Sequence, residues 1–337
     1  MREKNYNLEL VRMISFIFVI AIHVTNYYCR AWGKIPQEEY VFSLAVNVVS
    51  RMSVPCFLMI SGALLLGRDE PVKKHLHRTL HFLTALIVWD AVYYLWNTYY
   101  MRSEFDLKEI LYVPAEAHLW YLYAMVPIYL AMPFLQILCR NMNIRMERVF
   151  MVITSGAVLF TWLLRFMGAK PYYDLPIIGD KVYVWYMFAG YYLMKYRRKF
   201  RIRQRTLALI CVLSMAVTFG VTWGATSVMD KHCDTQLAYS TPFAILAACA
   251  FFLFMIRLGD GRLQFSERTR KIIDVFCGCS FGIYLIHPIY LDNYKKHLAA
   301  ADVSAWIIVP LLTAALVVVS FLSVWLLRRV KIGRKIT

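Results

Sequence analysis

What most constrains this chain is its apolar segments: ten of them, spread from near the N-terminus to near the C-terminus, are candidates to cross a bilayer as helices. A hydrocarbon core of roughly 30 Å takes about 20 helical residues. The segments run approximately over residues 8–29, 40–66, 78–100, 118–138, 149–168, 182–196, 206–226, 240–257, 272–291 and 304–327, the sixth being short. A mean hydropathy of +0.51 and 60% hydrophobic residues place the chain in the membrane class. No polar stretch between segments is long enough to fold by itself. Residues 1–337 therefore read as one integral membrane domain, an all-α polytopic helix bundle.

The loops between these segments alternate in charge. Twenty-six of the 38 Lys and Arg fall on one side, in Arg2 and Lys4, Arg68 to Arg78, Arg140 to Arg148, Lys195 to Arg205, Arg257 to Lys271 and Arg328 to Lys335. Nine fall on the other side, where Glu38, Glu39, Glu104, Asp106, Glu109 and Glu116 collect, and three lie within spans. By the positive-inside rule both termini are cytoplasmic. The net charge of +17 has no aromatic-basic surface stretch beside it, so topology and anionic membrane lipids explain it better than nucleic acid; a phosphate-rich cytosolic ligand is the sharper alternative. The eight cysteines are scattered without a paired CxxC set, which argues against a metal site or a disulfide framework. The first apolar run continues past a signal-peptide core without a small-residue cleavage site and is expected to stay as the first span.

An ionisable side chain inside a span costs several kcal/mol unless it faces a polar cavity or a partner, so each one is a site candidate. In "RMISFIFVIAIH", Arg12 and His23 are eleven residues apart: about 20° past three full turns and roughly 16 Å of rise. Both therefore point the same way, Arg12 near the cytoplasmic edge and suited to an anion, His23 past mid-membrane and suited to proton transfer. The bland alternative is a snorkelling arginine and a histidine bonded to a neighbouring helix. In "SRMSVPCFLMISG", Arg51 falls near mid-membrane, where it demands an anion, carbonyls or water, and Pro55 is expected to bend the helix. Ser61 and Gly62 of the same stretch read equally as packing residues. His118 opens the fourth span within "HLWYL", beside Trp120, an ordinary interface anchor. In "SFGIYLIHP", Ser280, Tyr284 and His287 make one polar helical face, lining a path or stabilising the bundle. Asn47, Asp90 and Arg165 stand alone, and Asp90 is a candidate counter-ion for Arg51.

Taken in order, "LELVRMISFIFVIAIH", "SVPCFLMISG", "KKHLHR", "HLWYLYAMVPIYLAMP", "YVWYMFAGYYL" and "SFGIYLIH" resemble the acyltransferase-3 family of integral membrane acyltransferases over nearly the whole chain. Within it, the length and the "HLW" form are most similar to stand-alone O-acetyltransferases of bacterial surface polysaccharides, such as the one that modifies enterobacterial common antigen. The resemblance implies a ten-helix bundle in the bacterial inner membrane, acetyl-CoA or another acyl-CoA as donor, no tightly bound cofactor, and a hydroxyl of an envelope glycan or lipid-linked saccharide as acceptor. It makes His23 the catalytic histidine and Arg12 the basic residue of helix one. The family's arginine pair after the second span is only partly kept, with His75 and Arg78 in "HLHR". Met125 stands where some members carry a glutamate.

On this reading Arg12, Ser61, His75 and Arg78 face the donor. His23 is the general base or an acyl-carrying nucleophile, with Arg51, His118, Tyr284 and His287 around it and Arg51, Ser61 or Tyr284 as oxyanion donor. The rival, from the membrane part of some amino-acid racemases, is a transporter of a small polar substrate, since a polar lumen suits transport equally. An inert scaffold fits poorly with so many buried ionisable groups.

Overall fold

The computed structural model describes residues 4–103, 106–172, 182–258, 265–331 and 333–337; Arg2, Glu104 and part of the Arg257 to Lys271 segment lie outside them. The described residues form helices α1 (Tyr6–Cys29), α2 (Gln37–Ser50), α3 (Ser53–Leu65), α4 (Val72–Leu95), α5 (Trp120–Asn141), α6 (Ile144–Phe166), α7 (Tyr183–Tyr196), α8 (Gln204–Met229), α9 (Pro242–Leu258), α10 (Glu267–His297), α11 (Ala305–Leu327) and α12 (Gly333–Ile336), with no strand among them. Polar caps begin several: Asn5 accepts backbone N–H bonds at the start of α1, Asn143 at α6 and Ser266 at α10. Proline precedes α2 and α4, where the fixed φ starts a helix without a wasted donor.

Nine helical stretches among the described residues are long and apolar enough to cross a membrane, α2 and α3 together making one. The chain is a multi-pass membrane protein. The tenth expected span is α7, whose 14 residues rise only about 21 Å. It nevertheless covers the depth of its neighbours. The Tyr186 hydroxyl donates to the Tyr239 carbonyl just before α9, and Lys195 and Tyr196 meet Glu147 in the first turn of α6. Near the two ends of the chain, residues meet one stretch of α10: Lys4 pairs with Asp274, and Arg328 donates to the Gly278 carbonyl.

Pro55 breaks the second span as expected, but one turn upstream of itself. Its ring clashes with the carbonyl four residues back, so α2 ends at Ser50, Arg51 and Met52 form a turn, and α3 starts at Ser53. This places Arg51 at a helix junction rather than on a helix wall. The α3–α7 contact rests on two glycines. A Cβ on Gly62 would lie 1.8 Å from the Met187 carbonyl oxygen, and one on Gly190 2.1 Å from that of Met59. Backbones in contact give membrane helices dispersion attraction that larger residues prevent. Gly62 is thus the packing residue of the "ISG" stretch.

α1 runs through the middle of the bundle, with 61% of its apolar window buried, against 11% for α6 and 22% for α11, which turn their apolar surface outward as lipid-facing helices do. Between α3 and α4, Glu70 is clamped by Lys74 at 2.6 Å, Arg78 at 3.0 Å and Arg68 at 3.4 Å. Burial pushes its carboxyl up, but the hydrogen bonds from Lys74 and Arg78 outweigh that and hold it at about 2, below the ordinary 4.5. A depressed carboxyl contributes stability that is present above about pH 4.5 and lost as the pH falls towards 2. Glu70→Gln is therefore expected to lower thermal stability at neutral pH and to flatten its acid dependence in that window, as read from unfolding curves in detergent at stepped pH.

Candidate active site

The site is a cavity of about 820 Å³ walled by α1, α3, α4, α5 and α10. On α1 its lining residues are Arg12, Phe16, Val19, His23, Asn26 and Arg30 among others, a stripe with steps of four and three residues. That spacing keeps one helical face on the cavity for about 27 Å, the reason Arg12 and His23 share it.

Three histidines converge midway. The His287 ring centroid is 5.1 Å from that of His23 and 5.6 Å from His118, and His23 and His118 are 6.4 Å apart. His287 Nδ1 donates to the Tyr284 carbonyl at 2.8 Å, with the Ile283 carbonyl at 3.2 Å. A carbonyl can only accept, so Nδ1 carries the proton and Nε2, buried without a partner, is the lone-pair nitrogen. No group of His, Cys, Asp or Glu among the described residues has the arrangement of a metal site. His118 is buried edge-on to Tyr93 and accepts, through its backbone carbonyl, the hydroxyl proton of Tyr284. That bond ties α10 to the start of α5. Ser280 and Tyr284 line the cavity, and His287 packs behind His23.

Arg51 enters the cavity from the α2–α3 junction, about one turn beyond His23. Its Nε donates to Asn47 Oδ1 at 3.0 Å and its Nη2 to Asn26 Oδ1 at 3.4 Å, and the guanidinium lies 6.0 Å over the Tyr239 ring. Asn47 in turn donates to Thr25 and Asn26. No carboxylate pairs with Arg51 among the described residues. The suggested counter-ion Asp90 accepts instead from the Ala115 N–H and the Tyr123 hydroxyl. Amide oxygens orient Arg51 without neutralising it, which leaves its charge for an anion in the cavity.

At the end of the cavity beside the chain termini, Arg12 pairs with Glu9 at 2.6 Å. Ser61 lines the wall with its hydroxyl donating to the Phe57 carbonyl. His75 and Arg78 are not brought to the cavity: His75 is buried with both ring nitrogens unpartnered, and Arg78 belongs to the Glu70 clamp. Both lie on the same α4 face as the cavity-lining His81 and Phe82, one and two turns nearer the helix start, with the Arg78 guanidinium 6.0 Å over the ring of Tyr129, a residue of the cavity wall. The cavity also uses residues not singled out from the sequence, namely Asn26, His81, Tyr239, Arg328 and Arg334. Only Asn26 carried a signal, lying three residues past His23 on the same stripe.

A membrane bundle around a histidine cluster, with an arginine at mid-depth and a basic end, matches one family over almost its full length: the family's acyltransferase domain spans residues 5–328. The chain belongs to the acyltransferase-3 family. Among its relatives is a probable poly-beta-1,6-N-acetyl-D-glucosamine export protein of Staphylococcus aureus, 24% identical over 315 residues, which are 86% of this chain and 84% of that protein. An amino-acid racemase of Enterococcus faecalis is 22% identical over 327 residues, covering 88% of this chain but 44% of the racemase. No solved structure gives a significant match. As a family member, the protein is a polytopic membrane acyltransferase by class, related to proteins named for poly-beta-1,6-N-acetyl-D-glucosamine export.

Proposed function

We propose that this protein is an O-acyltransferase of the bacterial inner membrane. With both termini cytoplasmic, it takes an acyl group, acetyl in the simplest case, from acyl-CoA on that side and passes it to a hydroxyl of an envelope glycan or lipid-linked saccharide. The observation that carries this reading is the α1 stripe, which sets a basic residue and a histidine about 16 Å apart on one wall of a single cavity. The pantetheine arm of coenzyme A is about that long, so its phosphates stay among basic residues while the thioester reaches His23.

In the step proposed, His23 removes the proton from the acceptor hydroxyl as its oxygen bonds to the thioester carbonyl carbon. The carbonyl oxygen takes the negative charge, and Arg51, oriented by two asparagines and free of a carboxylate, supports it. The carbon–sulfur bond then breaks, and the leaving thiolate recovers the proton from the His23 imidazolium. Arg51→Met is expected to lower kcat about a hundredfold with little change in the donor KM, since its support is strongest in the transition state. Steady-state rates of thiol release measure this.

The test of the reading uses the purified protein in lipid nanodiscs with acetyl-CoA and a lipid-linked amino-sugar glycan. Release of free thiol together with a glycan mass gain of one ester supports it. A second reading, transport, draws on the same cavity being lined from near the first turn of α1 to its last, and on the export for which the Staphylococcus aureus relative is named. Movement of glycan across vesicles without thiol release sinks the transferase reading in favour of transport.

A further inference from the structure

Part of the cavity wall is made by the residues just after α11 and by α12, a segment read from the sequence only as one of the basic clusters. Arg328 and Arg334 line the cavity together with Arg12 and His81. α12 is held inside the bundle. The Trp89 Nε1–H donates to the Ile336 carbonyl at 2.9 Å, and Thr337 packs so closely on α10 that a Cβ on Gly282 would lie 2.8 Å from it. Gly333 is required at the bend, since a Cβ there would fall 1.9 Å from the Leu327 carbonyl oxygen. Non-spanning backbone at this depth persists where it is buried in protein or lines a cavity, and α12 does both.

The charges on this wall differ from several basic groups at the same end that are paired with carboxylates. Lys4 is matched by Asp274, Arg12 by Glu9, Arg68, Lys74 and Arg78 by Glu70, Arg140 by Asp69 and Lys195 by Glu147. Arg328 donates to the Gly278 carbonyl, and neither it nor Arg334 pairs with a carboxylate among the described residues. A second, larger cleft, lined by Lys4, Arg68, Lys74 and Lys195, also holds Glu70, which pairs with Arg68 and Lys74, while Lys4 and Lys195 pair with Asp274 and Glu147. Arg328 and Arg334 thus bring to the wall of the His23 cavity positive charge that no carboxylate among the described residues matches.

We propose that Arg328 and Arg334 hold the phosphate groups of the donor, making α12 the wall of a nucleotide-phosphate site. The inference rests on the acyl-CoA reading and assigns the phosphates to these residues instead of His75 and Arg78. An independent ruler supports it. Gly278, which Arg328 touches, and His287, beside His23, are nine residues apart on α10, about 14 Å of rise. That agrees with the roughly 16 Å measured along α1, so a phosphate at Arg328 leaves the thioester at His23. Guanidinium forks pair with phosphate oxygens in two parallel charge-assisted bonds, which favours arginine over lysine here.

The experiment titrates CoA, 3′-dephospho-CoA and pantetheine into the nanodisc protein, for wild type, Arg328→Gln, Arg334→Gln, the double variant, Arg334→Lys and Arg78→Gln. Size exclusion confirms that each is folded; both arginines are at least partly exposed, so Gln is tolerated. The expected result is a loss of CoA affinity of about ten- to a hundredfold in each single Gln variant and more in the double, with pantetheine binding unchanged. The donor KM rises while kcat stays, and Arg334→Lys keeps part of the affinity. Unchanged CoA affinity in the double variant overturns this proposal alone. Loss confined to Arg78→Gln overturns it in favour of the α4 start. Wild-type protein that binds no CoA overturns the acyl-CoA reading, and this proposal falls with it.

Discussion

His23→Gln is expected to give a folded, inserted protein whose acyl transfer falls by about a hundred- to ten-thousandfold, the usual contribution of a positioned general base. Glutamine keeps much of the side-chain volume and a hydrogen-bonding group, so the packing of α1 against α10 survives while the titrating nitrogen is gone. The surroundings of His23 sharpen the expectation. His287 stands 5.1 Å away with its proton committed to a backbone carbonyl, and Arg51 is tied through Asn26, one turn along the same helix face. Neither can replace His23: an arginine does not surrender its proton at accessible pH, and His287 lies behind His23 and outside the cavity lining. Thiol release, glycan mass and the folded fraction are measured on one preparation. Transfer at the wild-type rate by folded His23→Gln would remove the mechanism.

Gly190→Ala is expected to have the largest effect on folding. Its Cβ would lie 2.1 Å from the Met59 carbonyl oxygen and 2.4 Å from the Met59 Cα, and backbone cannot be moved aside as a flexible side chain can. Overpacking of side chains costs typically about 1–3 kcal/mol, and a backbone collision lies at or above that range. That is a large part of the marginal stability of a folded domain. α7, with 14 residues, has few other contacts along its length to compensate, and parting it from α3 shifts Ser61 and the Arg51 junction. Gly156→Ala and Gly220→Ala, with open space at their Cβ positions, serve as controls and should be neutral or slightly stabilising. The measurement is the yield of monodisperse protein and its thermal midpoint in detergent. A Gly190→Ala midpoint equal to the controls would contradict the tight α3–α7 contact.

Much of the fold was legible because a bilayer allows few solutions. A span must be helical and about 20 residues long, so apolar length located ten segments, nine of which are helices long enough to cross, while the sixth, noted as short, is the 14-residue α7. The Arg12–His23 relation was legible for a local reason, since helical rise and twist are set without reference to the rest of the molecule. Pro55 announced a break for the same reason, though its position at Arg51 follows from which carbonyl the ring strikes.

Beyond a single helix this legibility ends. Ser280, Tyr284 and His287 read as one polar face of α10, but not that Tyr284 would donate to the His118 carbonyl while His287 came to His23. Asp90 was a reasonable counter-ion for Arg51 by depth, yet helix rotation gives Asp90 to Ala115 and Tyr123 and leaves Arg51 with two asparagines. His75 and Arg78 lie in the expected basic stretch but outside the cavity lining, whereas Arg328 and Arg334 belong to a basic tail read from the sequence only as a topology signal or a general phosphate-binding cluster, and they line it. The sequence by itself determined the helical spans and the α1 ruler, because those depend on apolar length and helix geometry within one segment. Only the tertiary structure decided which charges meet and which stay unmatched, because that depends on the rotation and depth of each helix against its neighbours, set by contacts such as the glycine seam between α3 and α7.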